Sequence, residues 1–275
     1  MKCVRKNLAW GICAAVLFEG VRLSAAGTNS EPEPYQLKDI PGGKQLVIAG
    51  KEYGPYAYVP PMEPVQFSPD KRHWIVFVRK SGGEEFFVVD GQEHASPVKV
   101  GSSFAYTVSE NGGGWGASVR DPSSGGSYAI LNGKAYGPYG RIMGRRDTWV
   151  PVLSANGKTA GIAGWKERNS VVVVVNGKEF GPYQSARALW IDDKGEFWCA
   201  VVSKADSQEY ILTTDNEYGP YLWISPVFTS IDQRHWGFYA GKAQAAEQNL
   251  VSVIDGKELP GTNTALKNLS VKVTQ

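Results

Sequence analysis

Cysteine, histidine and methionine are all scarce in this chain of 275 residues, which contains three of each. Cys3 and Cys13 lie close to the N-terminus, so the rest of the chain has only Cys199 and cannot form an internal disulfide. Neither Cys nor His has the spacing of a metal-binding cluster, and no Gly-x-Ser-x-Gly nucleophile elbow is present. The sequence therefore predicts no cofactor and no metal, and favours a protein that is not an enzyme. A metal site formed by carboxylates that lie far apart in the sequence remains an open alternative.

Long hydrophobic runs are also lacking, apart from one near the start. Residues 1–26 combine a basic beginning, an apolar run over residues 8–18 and small residues up to Ala26, which is the layout of a secretory signal peptide. The run is shorter than the roughly 20 residues that a membrane span needs. Lipoprotein processing at Cys13 fits the neighbouring residues poorly. We expect cleavage after Ala26, no stable membrane span, and a periplasmic or secreted protein.

The chain without residues 1–26 has no excess of positive charge. Residues 1–26 hold four of the 29 basic residues and one of the 27 acidic ones, so the remaining chain carries a net charge near −1. Nucleic-acid binding proteins usually show a strong basic patch. The balance therefore argues against a nucleic-acid partner.

Glycine and aromatic residues are plentiful, and they recur in a pattern. The stretch "NGKEFGPY" from Asn176 has near-copies at Gly50, Asn132 and Asp215, with weaker echoes at Asp90 and Asp255. The turn residues of the six copies are 39 to 44 residues apart: Gly50, Gly91, Gly133, Gly177, Asn216 and Gly256. A period of this length indicates a solenoid or a propeller.

A second motif between these turns predicts the packing. It begins at Ser68, Ser109, Ser154, Asp192 and Ser230, and its seventh residue is Trp in four of the five copies. The strand that follows is apolar on both faces, with Trp74 and Val76 on one and Ile75 and Phe77 on the other. A strand covered on both sides belongs to a sheet packed between two others, whereas a two-sheet sandwich leaves one face wet.

Four strands per repeat, stacked on both faces, predict an all-β protein with the fold of a β-propeller. Five units are complete between about residues 61 and 265, half a unit precedes them, and one more strand begins at Leu269. Six blades, with the closing blade built from both chain ends, are the simplest account, and five blades are the alternative. The predicted domains are a signal peptide (1–26), a leader (27–43) and a single propeller (44–275).

The repeat resembles that of the TolB-like propellers of exported bacterial proteins, which are relatives of the WD-type repeat. "FSPDKRHWIVFV" followed by "EEFFVVDG" carries the resemblance, which extends over roughly residues 45–260. The sequence departs from the family pattern at Lys71, where the family has Gly, and in its tryptophans and its Gly-Pro-Tyr motifs. The resemblance implies a propeller fold, and it does not imply one function, since such folds host binding scaffolds and enzymes alike.

The Gly-Pro-Tyr motif favours a structural role. Proline cannot donate a hydrogen bond to a sheet, so it belongs at a sheet edge or a strand start. We therefore expect the motif in the outermost strand, with its tyrosines covering the same spot on successive blades: Tyr56, Tyr139, Tyr183 and Tyr221. The alternative is a ring of tyrosines that grips a glycan or a peptide.

The candidate binding residues lie where the repeat varies. "MGRRDTW" at 143–149 lengthens what the sequence suggests is a link between units, and all such links emerge on one face of a propeller. Arginine and tryptophan are frequent in interface hot spots. The sequence thus predicts a protein or peptide partner at a surface formed by Arg145, Arg146, Arg187, Trp190 and Trp223. The alternative is a propeller that binds or processes a glycan.

Overall fold

The computed structural model describes residues 34–61, 65–101, 104–144, 150–230, 232–243 and 248–261, and every regular element in these ranges is a β-strand. Within them, no helix has the length and apolarity needed to cross a membrane.

The strands form six antiparallel sheets in chain order, which we name A to F. Sheet A has three strands: β1 (Tyr35–Ile40), β2 (Gly43–Ile48) and β3 (Lys51–Tyr56). Sheet B has four: β4 (Val65–Phe67), β5 (Trp74–Arg79), β6 (Glu85–Val89) and β7 (Gln92–Ala95). Sheet C has four: β8 (Phe104–Val108), β9 (Trp115–Arg120), β10 (Ser127–Leu131) and β11 (Lys134–Tyr139).

The other three sheets repeat this order, with a divided first strand in two of them. Sheet D has β12 (Arg141–Met143), β13 (Val152–Leu153), β14 (Ala160–Glu167), β15 (Ser170–Val175) and β16 (Lys178–Tyr183). Sheet E has β17 (Ser185–Ile191), β18 (Trp198–Ser203), β19 (Glu209–Thr213) and β20 (Glu217–Tyr221). Sheet F has β21 (Trp223–Ile224), β22 (Phe228–Thr229), β23 (Trp236–Ala243), β24 (Gln248–Ile254) and β25 (Lys257–Pro260).

The second strands of sheets B, C, D and E are covered on both faces, as predicted. In β5, Trp74 and Val76 pack against sheet A, whereas Ile75 and Phe77 pack in the cluster shared with sheet C. Further buried clusters join C to D, D to E, and E to F. First strands of neighbouring sheets also contact each other, β4 with β8 and β13 with β17. Sheets stacked in series with their first strands together form a β-propeller, so the predicted all-β fold class is confirmed.

The hairpin that joins the last two strands of a sheet has the predicted geometry. Asn132 and Gly133 both have positive φ, at 49° and 83°, as do the corresponding residue pairs in sheets A, B, D and F. The Asn132 side chain also accepts a 2.7 Å hydrogen bond from the backbone N–H of Trp115, where the second strand begins. The turn residue thereby fixes the strand that carries the tryptophan.

The Gly-Pro-Tyr motifs all lie in the last strand of their sheet, and their Gly–Pro peptide bonds are cis. Each motif causes a bulge against the third strand. The tyrosine that follows is buried in all four copies. The structural interpretation of the motif is therefore confirmed, and these rings are not free to grip a ligand.

Turns between the first and second strands are joined to one another. The backbone N–H of Asn111 donates to Ala155 O at 3.0 Å, and that of Asn156 donates to Asp193 O at 3.1 Å. The N–H of Asp193 in turn donates to Gln233 Oε1 at 2.7 Å. These bonds link the turns of sheets C, D, E and F into a continuous turn belt at one end of the molecule.

The first sheet begins earlier than the sequence suggested. Residues 35–40 fall in the predicted leader, yet β1 pairs with β2 over six residues, from Tyr35↔Ile48 to Ile40↔Gly43. Proline and glycine on either side obscured this strand, because they are usual markers of irregular chain. The predicted signal peptide and the predicted closing strand from Leu269 lie outside the described residues, so the number of blades stays a prediction.

Candidate functional site

The first strand of sheet D is divided, and this division shapes the candidate site. β12 and β13 both pair with β14, through Met143↔Ala163 and Val152↔Gly161. Only Ile162 of β14 lies between these two pairs, so β12 and β13 are two parts of one first strand. The first strand thus pairs with β14 on both sides of the division.

The neighbouring first strand is also irregular. In β17 the pairing passes from Arg187↔Val201 to Trp190↔Cys199, so two residues oppose Ala200. One of them, Ala188, has a positive φ of 54°. This is a β-bulge, a feature that bends a strand and redirects its side chains.

A shallow cleft that is open to solvent lies where these two irregular strands meet. Its walls are small or apolar except at one residue, and they comprise Met143, Gly144, Ala163, Val173, Ala186, Arg187, Ala188, Leu189 and Ala200. Four of these nine residues are alanines. The cleft is therefore a small apolar depression with one polar residue, Arg187, in its wall.

Arg187 is held firmly at the cleft. Its Nη2 donates to both oxygens of Glu209, at 2.9 and 2.8 Å, and to Ile224 O at 3.0 Å. Glu209 Oε2 also accepts a 2.7 Å hydrogen bond from the N–H of Ile224. Arg187 therefore ties sheet E to the first strand of sheet F, and its charge is balanced by Glu209.

A second arginine stands beside the cleft without a carboxylate. Arg141 and Met143 share one face of β12, and Arg141 lies opposite Trp165 in the ladder. The Arg141 guanidinium lies over the Trp165 ring, 5.7 Å from its centroid. Within the described ranges Arg141 forms no ion pair, so its side chain presents an unneutralised charge next to the cleft.

The two tryptophans of the predicted site, Trp190 and Trp223, lie apart from each other. Trp190 is half-buried, packs against the core between sheets E and F, and lies 6.0 Å from the Phe197 ring, centroid to centroid. Trp223 is exposed, as is its neighbour Leu222. Trp223 precedes Ile224, so it lies near Arg187, whereas Trp190 lies further along β17 toward the turn belt.

Arg145 and Arg146 lie outside the described residues, directly after Gly144 of the cleft wall. The sequence interpretation placed them, with Arg187 and Trp190, in links between units. The structure instead places Arg187 and Trp190 inside β17, and Met143 and Val152, on either side of the stretch, in the two parts of the first strand of sheet D. The difference arises because Tyr139 is followed by a single residue, Gly140, before β12 begins.

Sequence reasoning missed Arg141, Trp165 and Met143. A signal was present, because position two after each Gly-Pro-Tyr varies freely and is Tyr58, Arg141, Ser185 or Trp223. The tryptophan partner was hidden, since Trp165 lies late in β14 and outside the repeated Trp position. In the described part of the chain, no group of three or more His, Cys, Asp or Glu side chains is arranged to hold a metal ion.

Two comparisons by sequence give no match: no protein-family model and no curated protein matches the chain. Several solved structures resemble it. A putative TolB from Agrobacterium tumefaciens covers 71% of this chain and 78% of its own, at 10% identity and a TM-score of 0.36.

The β-propeller domain of Cps50 (Swd1) from Myceliophteria thermophila covers 83% of this chain and 82% of its own, at 9% identity and a TM-score of 0.32. TolB from Acinetobacter baumannii covers 80% of this chain and 48% of its own, at 14% identity and a TM-score of 0.25. The propeller assignment for this chain rests on its sheet order and packing.

Proposed function

We propose that this protein is an exported, non-enzymatic propeller of the bacterial envelope that binds a protein or peptide segment at the cleft between sheets D and E. The observation that carries the proposal is the pairing of two irregular first strands around a cleft with alanine-rich walls. A regular four-stranded sheet does not require either irregularity, as sheet C shows with its continuous β8. A feature that the fold does not need, placed beside arginines, is a candidate binding surface.

Binding is tested by capturing envelope proteins with the purified protein and with two variants. Met143→Glu places a charge in the cleft wall, whereas Arg168→Gln changes an exposed residue in the turn between β14 and β15. We expect a partner that the native protein and Arg168→Gln retain and that Met143→Glu loses, with all three folded by thermal melting. Equal capture by all three proteins would place the binding surface elsewhere.

The same capture test extends to variants of Arg145, Arg146 and Trp223. Replacing both arginines with alanine should weaken capture without lowering the melting temperature by more than a few degrees. Trp223→Ala distinguishes a protein or peptide partner from the alternative, a glycan, because the exposed Trp223 ring is available for stacking on a sugar. Binding to an oligosaccharide array that disappears in Trp223→Ala would favour the glycan.

Export is a separate part of the proposal, and it is supported by the layout of residues 1–26. The expected mature N-terminus is Gly27 or a residue close to it. Intact-mass measurement of the protein recovered from the envelope checks this. A mass that retains residues 1–26 would contradict cleavage.

A further inference from the structure

We infer that the contact between sheets C and D holds a binding site for one ordered water molecule, formed by the hydroxyls of Ser118 and Ser127. The site is separate from the cleft between sheets D and E, so the inference is independent of the proposed function. It rests on the burial of the two hydroxyls, on the carboxylates that occupy the same position in sheets B and E, and on the small side chains around the serines.

The two hydroxyls lie on one face of sheet C. Both serines are fully buried, and neither Oγ atom is bonded to a group in the described ranges. In the ladder between β9 and β10, Ser118 lies opposite Ala129 and Ser127 opposite Arg120. The serines are therefore diagonal neighbours, and they face sheet D because Ala129 packs in the cluster shared with that sheet. A buried hydroxyl without a partner is costly, and internal water is a common partner of such groups.

Sheet E shows what a longer side chain at this position does. Glu209 corresponds to Ser127, because each pairs with the tyrosine of the Gly-Pro-Tyr motif of its own sheet. Glu209 Oε2 accepts a 2.7 Å hydrogen bond from the N–H of Ile224, in the first strand of the next sheet. The carboxylate thereby joins sheet E to sheet F.

Sheet B has the same kind of connection to sheet C, whereas sheet C has a serine in place of the glutamate. Glu85 Oε2 accepts a 2.8 Å hydrogen bond from the N–H of Val100, shortly before β8. In β12, Ile142 stands three residues after Tyr139, the same spacing as in sheets E and F. A water molecule at the place of the carboxylate oxygen accepts from the Ile142 N–H and bonds to both serines, which gives it three polar partners, about the usual number for an internal water.

The side chains around the serines are smaller than their counterparts in sheet E. Three matched positions differ in this way: Ser118 against Val201, Ser127 against Glu209, and Ala105 against Arg187. Arg120 is larger than its counterpart Ser203, but it is exposed at the surface. A water molecule takes about 30 Å³ in the liquid, which is less than the combined difference in volume of the three smaller side chains.

Replacing each hydroxyl tests the site through the sign of the change in melting temperature. A hydroxyl that holds water stabilises the fold, so Ser118→Ala and Ser127→Ala should each lower the melting temperature by about 2–4 °C. The double variant should lose less than the sum of the two, because either replacement alone removes the shared water. Thr229→Val is the matched control, since its hydroxyl is also buried, has no partner in the described ranges and lies in sheet F. Its replacement should leave the melting temperature unchanged or raise it.

A high-resolution crystal structure of the native protein provides the direct observation. We expect one water within hydrogen-bond distance of both Oγ atoms and of the Ile142 nitrogen. Alanine variants that melt at or above the native temperature would overturn the site, and so would a crystal structure in which the two hydroxyls bond to protein groups alone. Losses that simply add would overturn the sharing of one water between the serines. None of these results bears on peptide capture at the cleft, which has its own variants.

Discussion

The Tyr139 hydroxyl donates a 2.9 Å hydrogen bond to Glu179 Oε1 and thereby joins the last strand of sheet C to the last strand of sheet D. Lys166 lies 2.5 Å from the other oxygen of Glu179, and the Tyr139 ring lies on Gly164, where a Cβ would come within 2.8 Å of it. The same group of tyrosine, glutamate and lysine, which we call the latch, recurs as Tyr56–Glu93–Lys80 and Tyr221–Glu258–Lys242.

The latch predicts the effect of removing one hydroxyl. Tyr139→Phe should lower the free energy of unfolding by about 1.5–3 kcal/mol, the range for a hydrogen bond to a charged group. Tyr183 is the matched control, since it occupies the same position in sheet D. It is also buried, and the structure gives its hydroxyl no hydrogen bond to a described residue. Urea unfolding should show a clearly smaller loss for Tyr183→Phe, and equal losses would contradict the role of the hydrogen bond.

The tyrosine hydroxyl of the latch keeps its proton, and so remains a hydrogen-bond donor, at neutral pH and well above it. Burial, followed by the charge of Glu93 and the hydrogen bond to it, raises the pKa of Tyr56 to about 12. In sheet D, the hydrogen bond from Lys166 is the main cause that lowers the pKa of Glu179. The acceptor is thus ionised and the donor protonated at neutral pH, as the latch requires.

The sequence held a signal for the latch that the repeat analysis did not use. Between sheets B and C the three positions change together: Pro97 stands where the tyrosine would be, Ala135 replaces the glutamate, and Asp121 replaces the lysine. A shared role explains such a joint change. Aligning the repeats revealed the strands, because the apolar pattern of a strand is local. A contact between successive repeats becomes visible only when the residues at several positions are seen to change together.

A second prediction concerns pH. His235 Nδ1 and Asp255 Oδ2 lie 2.7 Å apart, and the hydrogen bond to Asp255, followed by its charge, raises the pKa of His235 above 6.5. The protonated imidazole is therefore bound more tightly in the folded state. Its stabilisation is fully present below pH 6.5 and is lost as the pH rises through the higher folded pKa.

Thermal melting between about pH 5 and about pH 8 checks this. The difference in melting temperature between the native protein and His235→Gln should shrink as the pH rises. Asp255→Asn is the matched control, because an amide keeps the acceptor for the N–H of Trp236 and removes the charge, as Asn132 does for Trp115 in sheet C. A difference that is constant with pH, or that grows, would contradict the assigned pair.

The third prediction contrasts two tryptophans at the same repeat position. Trp74 is buried between sheets A and B, whereas Trp236 is only half-buried against the core between sheets E and F. Trp74→Ala should cost about 3–5 kcal/mol, the range for emptying a large aromatic site. Trp236→Ala should cost less, because part of its ring already meets solvent. Denaturant titration of both variants measures the two losses in the free energy of unfolding. A larger loss for Trp236→Ala than for Trp74→Ala would contradict the difference in burial.

Cys199 gives the fourth prediction. Its side chain is fully buried, and burial raises the pKa of its thiol to about 12. Because the thiolate is the reactive form, the folded protein should react with a thiol reagent only as fast as it opens. Labelling in guanidinium, where the chain is unfolded, provides the positive control. Rapid labelling without denaturant would show that the thiol is accessible.

The candidate site was less predictable than the fold. Arg187 stood out in the sequence as an arginine in a variable stretch, and it lines the cleft. Its partners were not predictable, because Glu209 and Ile224 belong to a distant strand and to the next sheet. The division of the first strand in sheet D was hidden for a related reason. A longer stretch between two motifs gives no indication of whether the added residues lie between sheets or interrupt one.

The divided first strand of sheet D also has a consequence for engineering. Residues on both sides keep their pairings, Met143 with Ala163 and Val152 with Gly161, and Gly144 lies so close to Val150 that a Cβ on it would come within 1.7 Å of Val150 O. The turn belt fixes the far end of the same sheets by backbone bonds that involve none of these residues. The segment between Gly144 and Val150 is therefore a natural point for grafting foreign sequence, and the affinity of this scaffold can be diversified there while its folding information stays in the flanking strands.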